Sequence, residues 1–145
     1  MNKPQLSPYL NFNGNCEEAM NFYKSVLGGE LEISRFAEFD SPSMPVPESQ
    51  KNNVMHSTLK NGTLSFMASD GSQDNSVVFG NSVSMSIAGD DEAQLTGFFN
   101  GLGAGGMVTM PLEKQVWGDS FGMLTDKFGI HWMINISTGA AAGEN

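Results

Sequence analysis

The chain has 145 residues, enough to build one domain with a buried core and no disulfide or metal staple. Apolar residues make up 39% and charged ones 16%, which excludes a disordered chain, and the single cysteine, Cys16, excludes an internal disulfide. A formal charge of −9, with seven scattered Lys and Arg, offers phosphates no basic patch and excludes nucleic acid as a partner.

The start, MNKPQLSPYLNF, lacks the apolar run of a signal peptide, and no stretch is long and apolar enough to span a bilayer. A cytoplasmic protein without membrane attachment is expected. Residues 6–12, LSPYLNF, alternate as a short strand. In the following NCEEAMNFYKSVLGG, Asn15 and Glu18 have capping-box spacing. Cys16, Ala19, Met20, Tyr23, Val26 and Leu27 fall on one helical stripe, and Gly28 and Gly29 stop it. Strands are predicted at 30–39, 54–61 and 63–69, the last two joined by a tight turn at Asn61 and Gly62. Between the first two, Pro42, Pro45 and Pro47 forbid a central strand, so 40–53 reads as a long mobile loop.

After a polar loop the order repeats. SVSMSIAG (82–89) alternates as a strand, with Val83, Met85 and Ile87 on the helix side and Ser82, Ser84 and Ser86 opposite. A second helix follows in DDEAQLTGFFNGLG, with Leu95, Phe98, Phe99 and Leu102 on one face and Gly97 weakening it slightly. Strands at 106–116, 121–126 and 131–137 complete the half. The stretch from Glu18-Ala19 to Leu27-Gly28 is echoed by Glu92-Ala93 to Leu102-Gly103, within one residue. The expected organisation is a single domain over 1–145, with module one at about 6–70, module two at about 82–137 and a flexible tail at 138–145. Each half has one helix to cover one face of its sheet, which leaves the other faces to enclose a cleft.

The rarer residues crowd into WGDSFGMLTDKFGIHWMIN, 117–135. Asp126 opens D-K-F-G, the signature of a type I turn. Asp119 in W-G-D-S-F-G has two readings, a turn residue or a group at the cleft rim. Trp117 and Phe121 flank that turn, where they stack on an aromatic ligand or pack a dimer seam. Trp132, Ile134 and Ile136 face the helix by alternation, so His131, Met133 and Asn135 point inward. His131 is the candidate catalytic acid or base; the plainer alternative is a histidine bonded to a neighbouring strand. In VMHST, Met55 and His56 compete for the inward face. Cys16 is better read as a small buried hydrophobe than as a reactive thiol. The ten methionines suggest an adaptable apolar lining, with most of them in the core.

The segments PYLNFNGNCEEAMNFY, GGEL, VMH and WGDSFGMLTDKFGIHWMIN resemble the PhnB-like branch of the vicinal oxygen chelate superfamily, which includes glyoxalases, bleomycin-resistance proteins and extradiol dioxygenases. The resemblance covers residues 6 to 137. It implies an α+β fold of two βαβββ modules, a cupped eight-stranded mixed sheet with a helix on the outer face of each module, and a homodimer. Some sequences of this branch carry a ubiquinone methyltransferase label. The chain has no strand followed by a G-x-G-rich turn opening a helix, the usual adenosyl-cofactor pattern, to support it.

Superfamily enzymes hold a divalent metal with His, Gln or Glu from the first and last strands of each module. Mapped here, those positions are Ser7 or Pro8, Met67, Ser82 and Met133. Neither Ser nor Met suits a hard or borderline divalent cation, so no metal and no cofactor are expected. A substitute site on His56 and His131 would need a third ligand. The leading expectation is a metal-independent small-molecule-binding protein taking an apolar or aromatic compound in the cup. Its site would comprise His56, Met67, Trp117, Asp119, Phe121, His131, Met133 and Asn135. The alternatives are an enzyme (a lyase, isomerase or dioxygenase-like protein using His131 or a rearranged metal site) and a non-catalytic partner protein in which 40–53 is the contact segment.

Overall fold

A computed structural model describes residues 4–71 and 77–137. The chain divides into two compact units between Val78 and Phe79, and each is built on the same βαβββ plan. The tail expected at 138–145 lies outside the described residues.

Module one contains β1 (Tyr9–Phe12), α1 (Cys16–Leu27), β2 (Glu30–Arg35), β3 (Val54–Asn61) and β4 (Leu64–Asp70). Its sheet has the order β1-β4-β3-β2, with β1 and β4 parallel and the other pairs antiparallel. Module two repeats this with β5 (Met85–Gly89), α2 (Glu92–Gly103), β6 (Met107–Lys114), β7 (Ser120–Thr125) and β8 (His131–Ile136), in the order β5-β8-β7-β6. The duplication read from the two helices is therefore real in three dimensions.

Each helix buries its apolar stripe on one face of its own sheet. In α1, Cys16, Ala19, Met20, Tyr23 and Leu27 are buried, while Val26, expected with them, is half-buried. They meet Leu59, Phe66 and Ala68, and the Tyr23 ring packs edge-on to Phe66 at 5.7 Å. In α2, Leu95, Phe98, Phe99 and Leu102 are buried as their spacing predicts. Leu124, Trp132, Ile134 and Ile136 face them from β7 and β8. Burying each large side chain among them contributes about 1.5–3 kcal/mol.

Several expectations are corrected. The first strand starts at Tyr9 and not at residue 6, and the predicted 30–39 strand ends at Arg35. There Glu38 turns back to accept from the Arg35 N–H at 2.8 Å, and 36–39 coil into a 3-10 turn. The strand expected at 82–89 begins at Met85, which leaves Val83 76% exposed and off the helix face. The hairpin loop is Gly62 and Thr63, since Asn61 already pairs with Leu64; Gly62 has φ +62, as a type II′ turn requires.

The 40–53 segment is a loop without a strand, as its prolines predict, and it is braced. Val46 N–H donates to Asp40 Oδ1 at 2.8 Å, Ser41 pairs with Met44, and Lys51 bridges Asp40 and Glu48. The capping box at Asn15 does not form. Asn15 lies at φ −115 and ψ 25, outside extended capping geometry, and its side chain makes no cap bond. Asp70 at the end of β4 does the work: its Oδ1 accepts from Gly14 N–H and Cys16 N–H, and its Oδ2 from Val54 N–H, at 2.8 to 3.0 Å. Helix α2 is capped locally, by Asp91 accepting from Gln94 N–H.

Candidate functional site

Because the helices cover one face of each sheet, the chemistry sits on the distal face, the side turned away from the helix. In module one, Thr58 and Met67 are direct cross-strand partners, and Tyr9 pairs with Met67 from the other side. His56 lies two residues from Thr58 and shares this face, which decides its competition with Met55. Its Nε2 lies 3.2 Å from the Thr58 hydroxyl and its Nδ1 3.4 Å from the Tyr9 hydroxyl. The Tyr9 and His56 rings are 5.9 Å apart and tilted. This face is polar, with one methionine.

The distal face of module two differs. Trp132, Ile134 and Ile136 are buried, so His131, Met133 and Asn135 project to the other side as the alternation predicts. Cross-strand pairing aligns Met110 with Met123 and Met123 with Met133, a row of three methionines across β6, β7 and β8. Side chains paired directly across strands share a face and touch, so the row is one polarisable apolar strip. One step along, Phe121 pairs with Asn135, and the Trp117 ring stands edge-on to Phe121 at 6.2 Å. Asn135 Nδ2 donates to Asp119 Oδ2 at 3.0 Å. The Asp119 carbonyl accepts from Gln115 N–H at 2.7 Å, so Asp119 both closes the β6–β7 turn and holds Asn135.

At the other end of the strip stands His131. Its Nε2 is 2.9 Å from the Gly80 carbonyl oxygen, which can only accept, so Nε2 carries the proton. Nδ1 then accepts from the Thr125 hydroxyl at 2.8 Å. Thr125 is the cross-strand neighbour of His131, so the imidazole is bonded to an adjacent strand and both nitrogens are engaged.

Asp126 is a turn residue. Its carbonyl accepts from Gly129 N–H, and its Oδ1 from Phe128 and Ile130 N–H. Its Oδ2 accepts the buried Trp132 indole N–H at 2.8 Å. Cys16 is wholly buried against Ser57, and burial pushes its thiol up to about 12 with Asp70 and Glu17 adding to the shift, so it is not a nucleophile near neutral pH.

The sequence matches the family described as 3-demethylubiquinone-9 3-methyltransferase over residues 4–135. The chain belongs to this family. It is also similar to protein PA1353 from Pseudomonas aeruginosa, with 40% identity, 94% of this chain and 99% of that one covered, and a TM-score of 0.81. The PhnB protein from Bacillus cereus shares 25% identity over 92% of this chain and all of that one, with a TM-score of 0.70. Protein YjdN of Escherichia coli K12 is 28% identical over 139 residues, 90% of this chain and 94% of that protein. The fold extends to the glyoxalase/bleomycin resistance/dioxygenase superfamily, as in an enzyme of that family from Burkholderia phytofirmans (14% identity over 88% of this chain and 95% of that one, TM-score 0.59). The likeness to the PhnB protein agrees with the PhnB-like resemblance drawn from the sequence, and the likeness to the superfamily is one of fold.

The superfamily's metal is tested by the donors at the mapped positions. Met67 and Met133 do lie on distal faces, but each offers a thioether, and Ser82 precedes β5 and is exposed. Hard and borderline divalent cations select oxygen and imidazole donors, so this set does not fit. Among the described residues, no three His, Cys, Asp or Glu side chains gather where they could hold a metal ion.

The structure groups six of the expected site residues, Trp117, Asp119, Phe121, His131, Met133 and Asn135, on module two, and the other two, His56 and Met67, on module one. Met110 and Met123 join them and were missed, although the alternation in FGMLT already put Met123 opposite Leu124. The expectation that most methionines are core is wrong. Among those described only Met20 is buried; Met55, Met67, Met85, Met123 and Met133 are half-buried, and Met44, Met107 and Met110 are exposed.

Proposed function

We propose that the chain is a small-molecule-binding protein of the glyoxalase/bleomycin-resistance type that works without a metal and takes an apolar or aromatic compound. The observation that carries this reading is the Met110, Met123 and Met133 row with the Trp117 and Phe121 rings beside it. Thioethers and ring edges give a large, deformable contact area for a flat or irregular ligand. Asn135 and Asp119 supply fixed polar atoms at one end and His131 at the other. On module one, His56 and Met67 are assigned the same role. Engaged nitrogens on His131 favour binding over acid–base chemistry, which needs a free nitrogen at the reacting atom.

A homodimer and a cytoplasmic location go with this reading, and light scattering on the purified protein checks the first. The functional test is a thermal-shift screen of aromatic compounds with a chelator present. Compounds that raise the melting temperature of the wild type should lose most of that shift in Trp117→Ala. A shift that needs an added divalent ion, or that Trp117→Ala keeps in full, contradicts the proposal.

A further inference from the structure

Module one holds a concavity that this reading does not use. It is a cleft of about 450 Å³ between the 36–50 segment and the end of the β3–β4 pair. That volume lies in the range of small-molecule sites. Phe36, Met44, Val46 and Met55 give it apolar walls, and Pro45 and Pro47 add wall surface without a backbone donor. At its polar end are Ser69 and Asp70.

Asp70 marks that end as a place for a ligand. Ser69, 7% exposed, stands beside it at that end. Asp70, 4% exposed, spends three acceptor positions on Gly14, Cys16 and Val54 N–H. A carboxylate has roughly four such positions, so one remains, on Oδ2. None of the lining residues is cationic, so the polar end has a negative bias that the chain's charge of −9 reinforces.

The walls are also held in place before anything binds. Phe36 N–H donates to the Asn53 carbonyl and Ala37 N–H to the Lys51 carbonyl, each at 3.0 Å. Asp40 fixes Val46 from one oxygen and meets Lys51 with the other, at 3.4 Å. A wall ordered in advance reduces the entropy lost on association.

We infer that this cleft is a binding site for a compact apolar molecule ending in a hydrogen-bond donor, with a primary ammonium preferred over a hydroxyl. The apolar body lies among Phe36, Val46 and Met55, and the donor reaches Ser69 Oγ and the spare acceptor of Asp70. This site does not depend on the reading of module two.

The test is a backbone amide NMR titration of the full chain at neutral pH with n-hexylamine, n-hexanol and hexanoate. Expected shifts centre on Val46, Met55 and Ser69, with n-hexylamine binding more tightly than n-hexanol and hexanoate not binding. Ser69→Ala should weaken n-hexylamine about tenfold, the loss of one hydrogen bond to a charged group. Val46→Trp, which fills the cleft from the braced segment, should abolish binding, and Met55→Trp should do the same from the sheet. Wild-type-like dispersion of the amide spectrum shows that each variant is folded. The inference is overturned if hexanoate binds as well as n-hexylamine, if the shifts fall elsewhere, or if the folded filled variants bind like the wild type.

Discussion

In module one the start of α1 is held by Asp70, which sits at the far end of the last strand, 54 residues from Cys16. In module two α2 is capped by Asp91, three residues before the N–H it binds, and the position matching Asp70 is the buried Ile136. One duplicated plan has thus adopted two solutions to the unpaired N–H groups of a helix start. The distant solution ties helix, β3 and β4 together through one buried carboxylate, while the local one affects only the helix end. The distal faces diverge in parallel: Tyr9, His56 and Thr58 make module one polar, and three aligned methionines make module two apolar.

The capping contrast gives the largest expected effect. Asp70→Ala leaves three backbone donors without their acceptor in or near the core and should cost at least about 3 kcal/mol in urea unfolding. Asp91→Ala removes one exposed cap bond and should cost only about 1 kcal/mol. Equal losses would show that Asp70 is no more than a cap.

A second contrast concerns the small residue each sheet presents to its helix. Gly122 and Ser57 occupy matching places, opposite Ile134 and Ala68. A Cβ at Gly122 would lie 2.7 Å from the Phe99 ring and 2.9 Å from the Leu112 backbone. Gly122→Ala should therefore destabilise by about 2 kcal/mol through overpacking. Ser57→Ala removes the hydrogen bond to the Ala68 carbonyl and the weak contact with Cys16 Sγ, and should cost about 1 kcal/mol, read from the same unfolding curves.

The smallest effect is at the surface of module one. Arg35 makes two hydrogen bonds of 2.8 Å to Glu17, and these, opposed by desolvation and helped by the guanidinium charge, hold the Glu17 carboxyl below its ordinary value. A depressed carboxyl stabilises the fold above its unfolded pKa, and the contribution is lost as pH falls through the folded one. The pair is well exposed and screened, so Glu17→Gln should cost under about 1 kcal/mol at pH near 7 and nothing once pH is well below the carboxylate range.

The repeat, the two helices and the parity of the last strand were legible because each rests on apolar spacing within a few residues. Trp132, Ile134 and Ile136 needed nothing beyond period two. Asp70 was not legible as a cap because its partners Gly14 and Cys16 are distant in sequence and Asn15 offered a nearer, plausible cap. The 40–53 segment was legible in part: its prolines forbid a strand, while the Asp40 contacts to Val46 and Lys51 that brace the loop leave no local signal. The candidate site was readable residue by residue. The methionine row was not, since it depends on a register of β6 that two irregularities shift between Val108 and Glu113.

The central claim is that module two's distal face binds an apolar or aromatic compound with no metal. Methyl-labelled methionine NMR, with each signal assigned by substitution, tests it directly during titration of a thermal-shift hit in the presence of a chelator. The account expects ring-current shifts at Met110, Met123 and Met133, and none at the buried Met20. Shifts that appear only when a divalent cation is added, or that leave the three aligned methionines unmoved, would contradict it.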